Sequence, residues 1–208
     1  MSVREDAPTT EVQPAASAPS IADPAPLGLA GFALTTFLLS AANAKWMGSA
    51  SGQAWLGYAF AYGGLIQLLA GMWEFKNRNV FGSTAFSTYG GFWLGLGLWA
   101  LLVAPHATAT QANHDLGWIL LAFAIFNTYM LLMSTQVNMA VFGVFLTLEI
   151  TEILLFIGGF ANSSGTVKAG GYFGVLTALV AWYASAAGVS NGLANSKIRL
   201  PVGKPLFT

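Results

Sequence analysis

The sequence predicts an all-α integral membrane protein with six transmembrane helices. Of its 208 residues, 55% are hydrophobic and only 8% are charged, whereas an average soluble domain has about 25% charged residues. A spanning helix needs about 20 consecutive, mainly apolar residues, and the chain contains six such runs. They cover residues 27–44, 54–73, 86–104, 116–133, 137–160 and 170–192.

The first run follows a proline-rich lead-in. Pro24 and Pro26 cannot donate backbone hydrogen bonds and push the residues before them towards extended geometry, so the first helix is expected to begin near Pro26. Helical spacing then collects small and polar residues on one face. That face presents Gly28, Phe32, Thr35, Leu39 and Asn43.

The basic residues predict the orientation of the chain. Six spans place both termini on one side of the membrane, and the loops after the second and fourth spans share that side. Most of the eight basic residues fall there, namely Arg4, Lys76, Arg78, Lys197, Arg199 and Lys204. Because cytoplasmic loops carry an excess of Lys and Arg, both termini are predicted to be cytoplasmic. The predicted organisation is a disordered tail at 1–22, a six-helix domain at 23–195 and a cytoplasmic tail at 196–208.

Several classes of function find no support in the sequence. A net charge of zero gives no reason to expect a nucleic-acid partner. The absence of Cys excludes disulfides and cysteine metal sites, and two His residues do not suggest a histidine-rich metal centre. The chain has no phosphate-loop or dinucleotide-binding motif. Neither an enzyme nor a cofactor is predicted.

The fifth run contains two carboxylates, Glu149 and Glu152, three residues apart. An acidic side chain at the centre of a bilayer costs about 2.5–3.5 kcal/mol, so both should face protein or a wet cavity rather than lipid. Two interpretations stay open. The pair is either a proton relay or substrate-path group, or two protonated carboxyls that hydrogen-bond a neighbouring helix. In the fourth run, Asn127 is interpreted as an ordinary interhelical hydrogen-bonding residue.

The sixth run presents a row of small residues at helical spacing. These are Gly170, Gly174, Thr177, Ala181, Ser185 and Gly188. Small residues let helix backbones approach closely in membranes. The row is therefore predicted to pack against another helix, within or between subunits, with a pore-lining surface as the alternative.

Three ordered blocks resemble the acetate uptake transporter family, also called the succinate-acetate permeases. The first block is Asp23-Pro24-Ala25-Pro26-Leu27-Gly28-Leu29, which departs from the family signature only in having Asp23 for Asn. The second block, 63–74, shares the family's Gly, Gln, Ala, Gly and Glu positions, and the third, 79–93, matches Phe-Gly, Thr-Ala-Phe and Tyr-Gly-x-Phe-Trp. The resemblance covers most of the chain from Asp23 to about Gly192.

The resemblance implies six helices per subunit, a homohexamer, and a path for acetate or related short carboxylates in each subunit. It also implies a hydrophobic constriction made by Phe32, Tyr89 and Leu148, of which Leu148 requires a one-residue shift in the alignment. Glu149 and Glu152 are not explained by the resemblance, because the family more often has uncharged residues there.

Four neutral side chains are candidates for hydrogen bonding to a carboxylate along such a path. They are Thr35, Thr36, Asn43 and Gln67. Structural bonding between helices is the alternative for each.

These observations predict a homo-oligomeric transporter in the plasma membrane. Its expected substrates are acetate and similar monocarboxylates, with succinate as a further candidate, taken up together with protons. A passive acetate channel and a non-transporting membrane sensor or scaffold are the alternatives.

Overall fold

The computed structural model of the protein describes residues 21–48 and 51–207, and within these residues all regular structure is helical. The helices are α1 (Ala25–Asn43), α2 (Trp55–Phe60), a π-helical segment (Ala61–Ile66), α3 (Gln67–Lys76), α4 (Val80–Leu102), a 3-10 turn (Ala104–His106), α5 (Ala109–Ser134), α6 (Met139–Phe160) and α7 (Ser164–Gly192). The predicted fold class is confirmed. The predicted disordered tail at 1–22 lies outside the described residues except for residues 21 and 22.

Each predicted span corresponds to one helical run. The helices α1, α4, α5, α6 and α7 are long and apolar enough to cross a membrane. The remaining span is a continuous helical run, α2 to α3, that the π-helical segment interrupts. Hydropathy placed the starts of α4, α5 and α7 six or seven residues too late, because it marks only the apolar stretch. Capping side chains let a helix begin before the apolar stretch; for example, the Thr108 hydroxyl accepts a hydrogen bond from the backbone nitrogen of Gln111.

The helix α1 lies at the centre of the bundle, where it packs along α7 and against the π-helical segment and α3. Of the predicted row of small residues on α7, Gly174, Ser185 and Gly188 contact α1 within the chain, whereas Gly170 and Thr177 face α6. Gly171, which was not part of the predicted row, also contacts the end of α1. A Cβ atom at Gly171 would overlap the backbone nitrogen of Ala44, and one at Gly174 would overlap the Ser40 hydroxyl oxygen. Ser185 adds a hydrogen bond of 2.6 Å to the Pro26 carbonyl.

Two further pairs, α5 with α6 and α6 with α7, also pack closely, as does α3 with α4. The approach of α4 to α5 is wider and is filled by aromatic rings. The ring centroids of Phe92 and Phe123 lie 4.6 Å apart across this gap. Side chains rather than backbones therefore join these two parts of the bundle.

The C-terminal segment folds back against the ends of α6 and α7. The Asn191 amide donates to the Leu200 carbonyl at 2.8 Å and accepts from the Leu200 nitrogen at 3.0 Å. The backbone nitrogen of Ala140 donates to the Val202 carbonyl at 2.9 Å. These bonds hold the segment over the start of α6.

The contact between α1 and α7 predicts a stability change. The three atoms nearest to a methyl group at Gly171 are backbone atoms of Ser40, Asn43 and Ala44 at the end of α1, which cannot move aside without separating the helices. We expect Gly171→Ala to lower the free energy of unfolding by about 1–3 kcal/mol. Thermal unfolding of the detergent-purified protein measures this.

Gly95→Ala is the matched control, since a Cβ atom at Gly95 meets nothing within 4 Å. It should be neutral or slightly stabilising, because Ala is the better helix former. Equal melting temperatures for both variants would contradict the assignment of this contact.

Candidate functional site

Two cavities follow one another along α1. The wide cavity has a volume of about 410 Å³ and is lined by the first half of α1 together with Asn77, Asn79 and Asn138 from two interhelical loops. The narrow cavity has a volume of about 40 Å³ and is lined by the second half of α1. A volume of this size accommodates roughly three water molecules.

Phe32, Tyr89 and Leu148 line both cavities. They lie near the middle of α1, α4 and α6, and each is at least 94% buried. The rings of Phe32 and Tyr89 meet edge to face with centroids 5.8 Å apart. The structure thus brings together the three residues that the resemblance implied, between the two cavities. Their role as a constriction stays a prediction.

Aromatic packing orients the side chain of Tyr89. Its ring contacts those of Phe92, Phe123 and Phe126, with centroid distances of 6.2, 5.9 and 5.5 Å. These rings restrict the phenol, so that its hydroxyl reaches across to α5 and α6.

The Tyr89 hydroxyl lies between two acceptors. It is 3.0 Å from Asn127 Oδ1 on α5 and 3.3 Å from Glu152 Oε1 on α6. A phenol has a single hydrogen to donate. Tyr89 therefore donates fully to one of these oxygens at a time.

The two carboxylates of α6 occupy different surroundings. Glu152 is 3% exposed and lines the narrow cavity, and its Oε2 atom has no hydrogen-bond partner in the described part of the chain. Glu149 is half-buried and lines neither cavity. It accepts hydrogen bonds from Asn127 Nδ2 at 2.6 Å and from the Thr128 hydroxyl at 2.8 Å. Only Glu152 is in position to meet a solute.

Three of the four neutral candidates border a cavity. Thr36 and Asn43 line the narrow cavity, and Gln67 lines the wide one. The Thr36 hydroxyl and Gln67 Oε1 are buried without a hydrogen-bond partner among residues 21–48 and 51–207. Both atoms are therefore available to a solute.

Thr35 lies elsewhere. It is fully buried, borders neither cavity, and donates to the Gly31 carbonyl at 3.0 Å. The Tyr58 carbonyl lies 3.4 Å from the same hydroxyl. The alternative of structural bonding between helices accounts for Thr35.

Asp23 borders the wide cavity at the start of α1. Its Oδ1 atom accepts a hydrogen bond of 3.0 Å from the Ala25 nitrogen. The side-chain oxygen of Asn could accept the same bond. The replacement of the family Asn thus keeps this turn and adds a negative charge at the cavity mouth.

Two residues of this region were not predicted as functional. Glu74 is fully buried behind Gly82, a lining residue of the wide cavity, and accepts from Asn77 Nδ2 at 2.9 Å. Asn127, also fully buried, connects Tyr89 with Glu149. In the sequence, Asn127 is visible only as an amide in the middle of an apolar run. Its hydrogen-bond partners lie on α4 and α6, so the sequence alone does not reveal them.

The lining of both cavities lacks cationic groups. Neither Lys nor Arg is among the described residues that surround them. The described residues also contain no group of three or more His, Asp or Glu side chains suited to a metal ion. The arrangement offers neutral donors, one buried carboxyl and apolar walls.

Comparison with known proteins gives consistent matches. Residues 7–204 match the model of the GPR1/FUN34/yaaH family. The chain is 43% identical over 174 residues to accumulation of dyads protein 2 of Saccharomyces cerevisiae, covering 81% of this chain and 62% of that protein. It is 39% identical over 196 residues to acetate permease A of Emericella nidulans, covering 87% and 65%. The chain thus spans less than two thirds of the length of these fungal relatives.

Bacterial relatives match over nearly their whole length. The succinate-acetate/proton symporter SatP of Escherichia coli K12 is 34% identical over 186 residues, which cover 88% of this chain and 96% of that protein. The solved structure of the bacterial acetate channel SatP superposes with a TM-score of 0.78 at 30% identity, covering 88% of this chain and all of that one. The resemblance found in the sequence blocks is confirmed, and this multi-pass membrane protein belongs to the GPR1/FUN34/yaaH family.

Proposed function

We propose that this protein moves acetate and related short carboxylates across the membrane, through the two cavities and together with a proton. The observation that carries the proposal is the position of Phe32, Tyr89 and Leu148 between two cavities, each of which all three residues line. Relatives named as an acetate permease, a succinate-acetate/proton symporter and an acetate channel support the substrate class. They give no support to an enzymatic role.

The constriction would select its solute by size and by the cost of removing water. Phe32 and Leu148 offer no hydrogen bonds to replace those lost by a carboxylate, whereas the Tyr89 hydroxyl offers one. A small acid with a single carboxyl group therefore passes more easily than a larger dicarboxylate. Thr36 and Gln67, each with an unpartnered buried oxygen, flank this step on its two sides.

Coupling to protons follows from the position of Glu152. An ionised Glu152 in the narrow cavity repels an ionised carboxylate, and the low dielectric of the interior strengthens this repulsion. The repulsion disappears when either group carries a proton. Acetate would then pass as the acid or beside a protonated Glu152, and in both cases a proton accompanies it.

We further propose a homo-oligomer in the plasma membrane, a hexamer as the family resemblance implies, with both termini cytoplasmic and the transport domain at residues 23–195. Large apolar side chains cover the outside of α5, for example Trp118, Ile125 and Leu132. Such side chains suit contact with lipid or with a second subunit.

A passive acetate channel is the second candidate, and the similarity of this fold to a solved acetate channel favours it. A channel would give acetate currents that follow voltage and ignore proton gradients. A scaffold or sensor would instead leave acetate flux equal in empty and protein-containing vesicles.

The first prediction concerns proton coupling. In proteoliposomes with an inward proton gradient, the wild-type protein should accumulate labelled acetate, and Glu152→Gln should lose accumulation above equilibrium because no carboxyl remains at the narrow cavity. Asp115→Asn is the control, since Asp115 lines neither cavity. Gradient-independent equilibration by the wild type and by Glu152→Gln alike would establish the channel instead.

The second prediction concerns size selection. Phe32→Ala should raise the ratio of succinate to acetate uptake by about threefold to tenfold, as expected for a barrier lowered by up to ~1.4 kcal/mol. Phe37→Ala is the control, since Phe37 lies on the same helix but packs on Trp182, with ring centroids 5.4 Å apart. An unchanged ratio in Phe32→Ala would remove Phe32 from the constriction.

The third prediction concerns the mouth of the wide cavity. Asp23→Asn keeps the acceptor for the Ala25 nitrogen and removes a negative charge, so it should speed acetate uptake at low ionic strength. The gain should shrink as salt is added from about 0.01 to about 0.5 M, because salt screens exposed charges. A rate that is independent of both charge and salt would place Asp23 outside the entry path.

A further inference from the structure

We propose that Asn127 is a positioning residue which, held in place by Glu149, directs the hydrogen bond of the Tyr89 hydroxyl and so links the constriction to the protonation of Glu152. The inference rests on the proposed transport function and describes its regulation. It assigns different roles to the two carboxylates of α6, with Glu152 facing the solute and Glu149 orienting an amide.

The side-chain amide of Asn127 has only one satisfactory orientation. Its Nδ2 atom lies 3.0 Å from the Phe145 carbonyl and 2.6 Å from Glu149 Oε2. Both partners are acceptors, so the NH₂ group must face them. The Oδ1 atom therefore faces Tyr89, and a flipped amide would leave two buried acceptors opposite an oxygen.

The geometry around Tyr89 responds to the proton on Glu152. When Glu152 is ionised, it competes with Asn127 Oδ1 for the single phenol hydrogen, and one of the two acceptors is left without a donor. When Glu152 is protonated, it can donate to the Tyr89 oxygen while Tyr89 donates to Asn127. Both contacts are hydrogen bonds only in the protonated state, provided that Oδ1 of Asn127 is held in place.

Few other titratable groups approach this network. Glu149 on the same helix, Tyr89 on α4 and Tyr129 on α5 are its ionisable neighbours. The helix α1 contains no ionisable residue, and α7 contributes Thr177, which bonds Thr151. Lys168 of α7 lies over the ring of Tyr172. Glu152 therefore senses both the charge of Glu149, three residues earlier on the same helix, and the Tyr89 hydroxyl.

The two carboxylates also differ in what a substitution removes. A glutamine at position 149 can still present an oxygen to Asn127 Nδ2, whereas a methionine cannot. If Glu149 acts through Asn127, then Glu149→Gln should rescue what Glu149→Met loses. If Glu149 carried the transported proton, both substitutions would abolish coupling.

The test is the pH dependence of acetate uptake into proteoliposomes, with KM and maximal rate measured separately. We expect Asn127→Leu and Glu149→Met to move the profile towards acid pH by about half to one unit, the size expected for one lost hydrogen bond. Glu149→Gln loses the same charge as Glu149→Met but keeps an oxygen for Asn127 Nδ2, so its profile should lie closer to that of the wild type. Asn113→Leu is the matched control, because this amide lies at the start of α5 and bonds Asn162.

A Tyr89→Phe background provides a second, independent measurement. Without the hydroxyl, Asn127→Leu should leave the profile unchanged, because the coupling runs through that group. An equal shift in both backgrounds would show that Asn127 acts by another route and would overturn the proposal.

The outcomes separate this proposal from the proposed function. Absence of acetate uptake by the wild type would refute transport itself. Normal uptake with unshifted profiles in Asn127→Leu and Glu149→Met would refute only the positioning role. Loss of gradient-driven accumulation in Glu149→Gln would make Glu149 the proton carrier and would also overturn the proposal.

Discussion

The backbone contact between α1 and α7 is the constraint on which the site depends. Glycines at 171 and 174 bring α7 onto the second half of α1, and Ser185 bonds the first turn at Pro26. One face of α1 is thereby occupied along its length. Phe32 and Thr36 of α1 border cavities that residues of α4 and α6 also line. The packing of α7 on α1 thus limits which side chains of α1 can border the cavities.

The wider gap beside α4 explains why side chains, rather than backbones, define the path. Where helix backbones touch there is no room for a solute, and where they separate, aromatic rings fill the space. Tyr89 is the member of this aromatic group that also makes polar contacts with α5 and α6. A change at the Tyr89 hydroxyl can therefore alter both the width of the gap between the two cavities and the hydrogen bonds offered there.

The charges around the two cavities do not favour tight binding of a carboxylate. A fixed cation beside the path would hold a carboxylate tightly, and the described lining residues include none. Neutral donors offer weaker interactions that a solute can exchange for water. The acidic groups at Asp23 and Glu152 instead disfavour an unaccompanied anion, which connects the lining of the cavities to proton-linked movement.

Local sequence properties were sufficient to predict the helices. Hydropathy and length gave six spans within a few residues of their observed positions, apart from the first turns of α4, α5 and α7, which begin at capping side chains. The family resemblance, with a one-residue shift for Leu148, implied Phe32, Tyr89 and Leu148, which the structure brings together. The tails and the orientation in the membrane rest on composition alone.

The sequence by itself determined the fold class, the family and the types of residue available to a path. Only the tertiary structure decided which of them meet. Thr35 and Thr36 are adjacent, yet a turn of about 100° per residue directs Thr35 towards the Tyr58 carbonyl of α2 and Thr36 towards the narrow cavity. Glu149 and Glu152 differ in the same way, one facing Asn127 and the other the cavity. The physical reason is that periodicity fixes which residues share a helix face, whereas the neighbour of each face depends on how separate helices pack.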